Sequence, residues 1–219
     1  MIDAVVFDLD GLLIQTEELW HEVREGLARD RGGRYDTETQ RAMMGMSSPE
    51  WSRYMHEHVG LPEPPDEIAA EVITRVEERY RERLPLIDGA VAAVERIGAR
   101  WRLGLASSSN RPLIDLVLEL SGLEPLFRAT VSSEEVARGK PAPDVYLEAC
   151  RRLAVDPARA AAVEDSHAGI GSAKAAGMRV IAIPNSSFPP GAEALAQADV
   201  VLASLEELTP AAVERAPHS

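Results

Sequence analysis

The stretch MIDAVVFDLDGLL, residues 1–13, sets an apolar run, Ala4 to Phe7, directly before Asp8-Leu9-Asp10 and then Gly11. A continuous apolar run of this kind reads as a strand buried on both faces, as in a parallel sheet covered by helices. Two carboxylates at the end of a buried strand are costly. With a side-chain period of two, Asp8 and Asp10 point to roughly the same side and repel each other. Two readings stand open on these residues alone. Either both acids face solvent in a turn supplied by Gly11, or a positive group, a metal ion or a lysine, sits between them.

Working outward, the chain alternates between two regimes. From about Thr16 to Arg83 it is helical, charged and poor in strands. Thr16 can cap a helix, with Glu17 and Glu18 in its first turn and Trp20, Val23 and Leu27 along one face. Further helical stretches cover Thr37 to Met44, Pro49 to His58 and Asp66 to Arg83, broken by Leu61-Pro62-Glu63-Pro64-Pro65. From Asp88 onward short apolar runs alternate with amphipathic ones. Trp101–Ala106, Ala129–Val131, Ala160–Val163, Arg179–Ile183 and Asp199–Leu202 read as strands; Gly89–Ile97, Pro112–Leu120, Pro143–Leu153 and Gly169–Ala176 read as helices. That is the βαβ signature of an α/β fold, a Rossmann-like parallel sheet, into which the helical block is inserted after the first strand. The expected division is residues 1–15 with 85–219 for the sheet core and 16–84 for the helical insertion, and the tail after Pro210 is expected to fray.

Composition bounds the function. In 219 residues there is room for a substantial core, and a formal charge of −13 argues against a nucleic-acid partner, which needs a basic face. Cys150 is the single cysteine, so no internal disulfide forms, and no apolar run approaches the roughly 18 residues of a membrane span. The N-terminus lacks a basic segment followed by a cleavable apolar stretch, so a cytoplasmic protein without membrane association is expected. Oligomeric state is not legible, and monomer is the default. Lysine occurs only at Lys140 and Lys174. Codon bias toward arginine accounts for that scarcity, yet a retained lysine is a candidate for a role needing a compact point charge.

Ligands of open parallel sheets bind at the carboxyl ends of the strands. Those ends carry Asp8 and Asp10, then Ser107-Ser108-Ser109-Asn110, then Glu164-Asp165-Ser166, with the turn-rich Arg138-Gly139-Lys140-Pro141 between the last two. Each piece alone is weak, since serine clusters cap helices and Lys-Pro is an ordinary loop. Together they gather acids, hydroxyls and the scarce lysine on one edge. Asp8, Asp10 and Asp165 offer hard oxygen ligands suited to Mg²⁺, and Ser107 and Lys140 suit phosphate oxygens.

FDLDGLL, LASSS, GKPAPD and VEDS, in this order, resemble the four motifs of the haloacid dehalogenase-like hydrolase superfamily, in its phosphatase and β-phosphoglucomutase branch with a helical cap between the first two motifs. The resemblance covers nearly the whole chain. It implies Asp8 as nucleophile forming an aspartyl-phosphate, Asp10 as general acid and base, and Ser107 and Lys140 as holders of the phosphoryl group. It implies Mg²⁺ on Asp8, the backbone carbonyl of Asp10 and Asp165, with Glu164 a ligand or a support. The implied partner is a small phosphorylated metabolite, a sugar phosphate first. Candidate substrate contacts are Ser108, Asn110, Trp20, His21, Arg24, Gly45, Met46 and Ser47. The bland reading makes Trp20 and the methionines core, and His21 and Arg24 solvated.

Departures from the pattern narrow the activity. Gln15 stands where this branch often has Asp. The alternative reading, a β-phosphoglucomutase-like sugar phosphomutase, is weakened because Ser48 and Asn110 stand where those enzymes carry basic residues, although Arg41, Arg53 and Arg111 lie nearby. Phosphonate hydrolysis through a cap lysine is disfavoured, since the helical block has none. Dehalogenation needs only the first aspartate, and a receiver-type signalling module is far shorter and lacks the helical insertion.

Overall fold

The computed structural model describes residues 1–43, 46–185 and 189–215. β1 (Ala4–Phe7) is followed by four helices, α1 (Glu17–Asp30), α2 (Thr37–Met43), α3 (Ser48–Tyr54) and α4 (Pro65–Glu82). The chain then alternates through α5 (Ala90–Gly98), β2 (Arg102–Ser107), α6 (Arg111–Ser121), β3 (Phe127–Ser132), α7 (Asp144–Leu153), β4 (Ala160–Glu164), α8 (His167–Ala175), β5 (Arg179–Ala182), α9 (Ala192–Leu195), β6 (Val200–Val201) and α10 (Pro210–Arg215). Two compact units result: Met1–Gln15 with Leu86–Ser219, and Thr16–Pro85.

In the first unit all strands are parallel, in the order β3-β2-β1-β4-β5-β6. The order reverses at β1 and β4, and a doubly wound sheet opens its ligand crevice at such a switch. Ala4, Val5, Val6 and Phe7 are all fully buried. On one face Val6 joins Val145, Tyr146, Ala149 and Leu153 of α7 and Ile170 of α8. On the other, Phe7 meets Phe127 edge-on at 6.2 Å. Burial on both sides is why β1 carries no polar residue before Asp8. Beyond it, Ile14 bridges Leu86 and the Ile87 amide bonds to the Leu13 carbonyl, tying the two linkers of the insertion together.

The helical unit is built on the apolar stripe Ile68, Val72, Val76 and Tyr80 of α4, spaced by one helical turn. α1 packs on α4 and contributes Trp20, Val23 and Leu27, the face expected from the sequence. Thr16 does occupy the N-cap position of α1, but its side chain makes no capping hydrogen bond. The single helix expected over Pro49–His58 changes character: after α3 the turn Met55–Val59 is π-helical, with the Gly60 and Leu61 amides both reaching the Met55 carbonyl. A wide turn keeps Met55 and Val59 buried while a left-handed Gly60 ends it, and an apolar period cannot separate that from α. Past Pro210 the chain forms α10 as far as Arg215, with Ala212 and Val213 buried, so that part of the tail does not fray; the rest of the tail, 216–219, lies outside the described residues. Among the described residues no helix is long and apolar enough to cross a membrane.

Candidate active site

Pairing in register assembles the site. β1 lies between β2 and β4 with Phe7 opposite both Leu105 and Val163. Asp8, next along, therefore adjoins Glu164, and its amide bonds to the Val163 carbonyl at 3.0 Å. The Lys140–Pro141 bond is cis in the loop before α7. Lys140 Nζ donates to Asp8 Oδ1 at 2.7 Å and to Glu164 Oε1 at 2.6 Å, with these side chains 5%, 7% and 0% exposed. Tyr146 of α7 also donates its hydroxyl to Glu164 Oε1, at 2.7 Å, and its ring lies beneath the ammonium. Glu164 Oε2 takes the amides of Asp165 and Ser166 and the Ser166 hydroxyl. Both oxygens of this buried carboxylate are thus occupied, and it acts as the anchor that fixes Lys140.

Asp10 is held differently. The hydroxyls of Ser107 and Ser109 donate to its Oδ2 at 2.9 and 2.8 Å, and Ser107 Oγ accepts the Ser109 amide. The cation expected between Asp8 and Asp10 therefore lies between Asp8 and Glu164, because β4 rather than Asp10 flanks Asp8 on the side that Lys140 reaches. Gly11, with φ of 84°, turns the chain directly over Asp165; a Cβ there would lie 2.2 Å from Asp165 Oδ2. Gly169 makes the same kind of room in the first turn of α8, where a Cβ would fall 1.8 Å from Glu164 Oε1.

Crowding of buried carboxylates around one ammonium perturbs Asp8 and Asp165. Burial, with Glu164 and Asp10 close by, pushes Asp8 up to about 7 despite the opposing Lys140 charge. Burial next to Asp8 and Glu164 pushes Asp165 up to about 9. Lys140 remains firmly protonated, its neighbouring carboxylates outweighing its own desolvation. Asp8, Glu164 and Asp165 bring ligand oxygens within 4.8 Å of one another. Asp165 Oδ1 is buried without a hydrogen-bond partner among the described residues. An all-oxygen donor set with an orphaned carboxylate oxygen fits a hard divalent cation.

Other sequence candidates fall elsewhere. Ser108 is exposed, and Asn110 is buried at the N-cap of α6 with its amide donating to Glu134. In the helical unit Trp20 is buried against Trp51, and Arg24 lies against both rings. His21 Nδ1 is 3.4 Å from the Tyr35 hydroxyl. Ser47 caps α3, its amide and hydroxyl both donating to Glu50. Met46 is half-buried before that helix. Gly45, with Met44, lies outside the described residues. Sequence reasoning missed Tyr146, Ser109 and Asn185. The last is buried and donates to the Gly11 carbonyl and to Gln15 Oε1, both at 3.2 Å, bracing the turn after Asp10. Tyr146 was signalled by a phenol on the apolar stripe of α7, where a buried hydroxyl needs an acceptor. Ser109 was signalled by sitting two residues beyond Ser107.

Residues 2–177 match the family described as haloacid dehalogenase-like hydrolase. The chain is 36% identical to hexitol phosphatase B of Escherichia coli (strain K12) over 94% of each protein. It is 33% identical to validoxylamine A 7'-phosphate phosphatase of Streptomyces hygroscopicus subsp. limoneus, over 95% of this chain and 96% of that one. The crystal structure of CbbY from Rhodobacter sphaeroides in complex with phosphate superposes with a TM-score of 0.85 at 31% identity, covering 98% of this chain and all of the other.

Proposed function

The chain belongs to the haloacid dehalogenase-like hydrolase family and is a phosphoric monoester hydrolase, and from that premise we propose that it cleaves a small sugar phosphate through an aspartyl-phosphate on Asp8. The observation that carries this reading is the buried Asp8–Lys140–Glu164 arrangement beside Asp165 at the switch point of the sheet. A carboxylate kept rigid and close to a fixed ammonium is a nucleophile with the charge of the incoming phosphoryl group already answered.

The Asp8 carboxylate attacks phosphorus, the bond from phosphorus to the ester oxygen breaks, and Asp10 gives that oxygen its proton. Asp10, now ionised, takes a proton from water as the water oxygen attacks the same phosphorus, releasing phosphate and freeing Asp8. Lys140 steadies the phosphoryl oxygens as a point charge. Ser107 exchanges its bond to Asp10 for one to the substrate. Asp8, Asp165 and the backbone carbonyl of Asp10 would hold Mg²⁺, with Glu164 supporting from behind through Lys140 and the 165–166 amides. When bound, that cation supplies positive charge to the transferring group. The helical insertion is the segment we assign as this fold's cap. The sugar-phosphate class is supported by the relatives' names, hexitol phosphatase and validoxylamine phosphate phosphatase.

Phosphate release from a panel of sugar, nucleotide and organic-acid phosphates, with Mg²⁺ and with chelator, tests the proposal. Metal-dependent release led by sugar phosphates is expected. A nucleotide or organic acid leading the panel, or release indifferent to chelator, would overturn it.

A further inference from the structure

Half-buried Ser109 stands in the loop between β2 and α6, two residues beyond Ser107. Its hydroxyl donates to Asp10 Oδ2 at 2.8 Å, beside that of Ser107 at 2.9 Å. Ser107 Oγ already accepts the Ser109 amide, so its own proton is aimed at Asp10. Two hydroxyl protons thus converge on one oxygen of one carboxyl group. A further proton on Oδ2 would have to displace one of them, so the proton that Asp10 carries belongs on Oδ1. The loop is pinned from the end of β3. There the Ser132 hydroxyl donates to the Ser109 carbonyl at 2.7 Å, and the Ser133 hydroxyl to the Ser107 carbonyl at 3.2 Å. Ser107 and Ser132 are fully buried, and every one of these residues belongs to the sheet unit.

We infer that Ser109 is the positioning residue of the acid–base carboxyl: by holding Asp10 Oδ2 it presents Oδ1 as the oxygen that gives and takes the proton. The inference rests on the aspartyl-phosphate reading above and deepens it. The two serines divide the work. Ser107 gives up Asp10 for a phosphoryl oxygen when substrate arrives, whereas Ser109, its carbonyl tied to Ser132, keeps its bond and stops the carboxyl from turning over. As the bond from phosphorus to the ester oxygen breaks, its electron pair stays on that oxygen and the Oδ1 proton moves to it, leaving Asp10 ionised. The benefit depends on the leaving oxygen. An alkoxide leaves poorly and needs the proton, while para-nitrophenolate leaves without it.

The test compares kcat/KM, which covers the steps through departure of the leaving group, for wild type, Ser109→Ala and Ser109→Thr. The substrates are a hexitol monophosphate, phenyl phosphate and para-nitrophenyl phosphate, each with Mg²⁺. Ser109→Ala is expected to lose about tenfold or more on the hexitol phosphate, less on phenyl phosphate, and about threefold or less on para-nitrophenyl phosphate. Ser109→Thr keeps the hydroxyl and is expected to restore most of the loss. A merely structural role, or direct contact of Ser109 with the phosphoryl group, would lower all three esters alike. An equal loss, or none, therefore overturns the inference, and so does threonine performing no better than alanine. Asp8→Asn in the same assay judges the aspartyl-phosphate reading separately. If that variant still turns over para-nitrophenyl phosphate, the reading falls and Ser109 falls with it; if it is inactive while Ser109→Ala shows no dependence on leaving group, only the role of Ser109 falls.

Discussion

At the amino edge of the sheet Arg159 meets Asp3 at 2.7 Å with the side chains 56% and 27% exposed; at the carboxyl edge Lys140 meets Asp8 at the same distance with them 5% and 7% exposed. Length and charge are alike, and surroundings differ. Water screens the first pair and competes for it, so it is worth little. The second is buried, shared with Glu164 and pressed by Asp165, so no member can be removed without stranding another. The costly buried cluster sits at the carboxyl edge, whereas the Arg159–Asp3 pair at the amino edge is a cheap one. Stability alone gives no reason for that asymmetry, and phosphoryl chemistry gives one.

Substitutions across the two edges would break or sharpen this contrast. Asp8→Asn is expected to lower turnover by about 10⁴-fold or more while keeping the fold, read as phosphate release alongside a melting curve. Retained activity would end the comparison. Gly169→Ala drives a methyl group into the Glu164 carboxylate and is expected to cost about 2–3 kcal/mol in denaturant unfolding, with loss of activity. Tyr146→Phe removes one hydroxyl donor to a buried carboxylate and is expected to cost about 1–3 kcal/mol.

A subtler effect follows from protonation. Burial raises the carboxyl of Asp8 to about 7 and that of Asp165 to about 9, from an ordinary aspartate value near 3.8. The folded protein therefore binds more protons than the unfolded chain between about pH 4 and 9. Their contribution is fully present below about pH 4 and is lost as pH rises through 7 and 9. Without metal, Tm is expected to fall from about pH 6 to 9, and added Mg²⁺ to recover most of the loss; a flat metal-free profile would contradict the crowding. At the far end of the scale, Asp3→Asn is expected to change stability by about 1 kcal/mol or less and to leave activity as it was.

How much of this was legible beforehand depended on how local each signal is. The strand runs were legible because burial on both faces leaves no room for polar residues, and the acids, serines and lysine stood out where those runs end. Pairing across strands was not. That Lys140 reaches Glu164 as well as Asp8, and that Asp10 turns instead to Ser107 and Ser109, depends on register between segments far apart in the chain. The roles of Tyr146 and Asn185 were hidden for the same reason: each acts through hydrogen bonds to partners far away in the chain and looks locally like a core or loop residue. The π turn at Met55–Val59 shares its apolar spacing with an ordinary helix end. Arg24 was named among possible substrate contacts, yet its burial against two indoles follows from the packing of α1 against Trp51.

The most direct test is to quench a single turnover in acid and map phosphoryl groups by peptide mass, in wild type with Mg²⁺, with chelator, and in Asp8→Asn. A phosphoryl adduct on the peptide bearing Asp8, present only in wild type with metal, is the result expected. Phosphate release with no adduct at Asp8 at any time point would contradict the account at its centre.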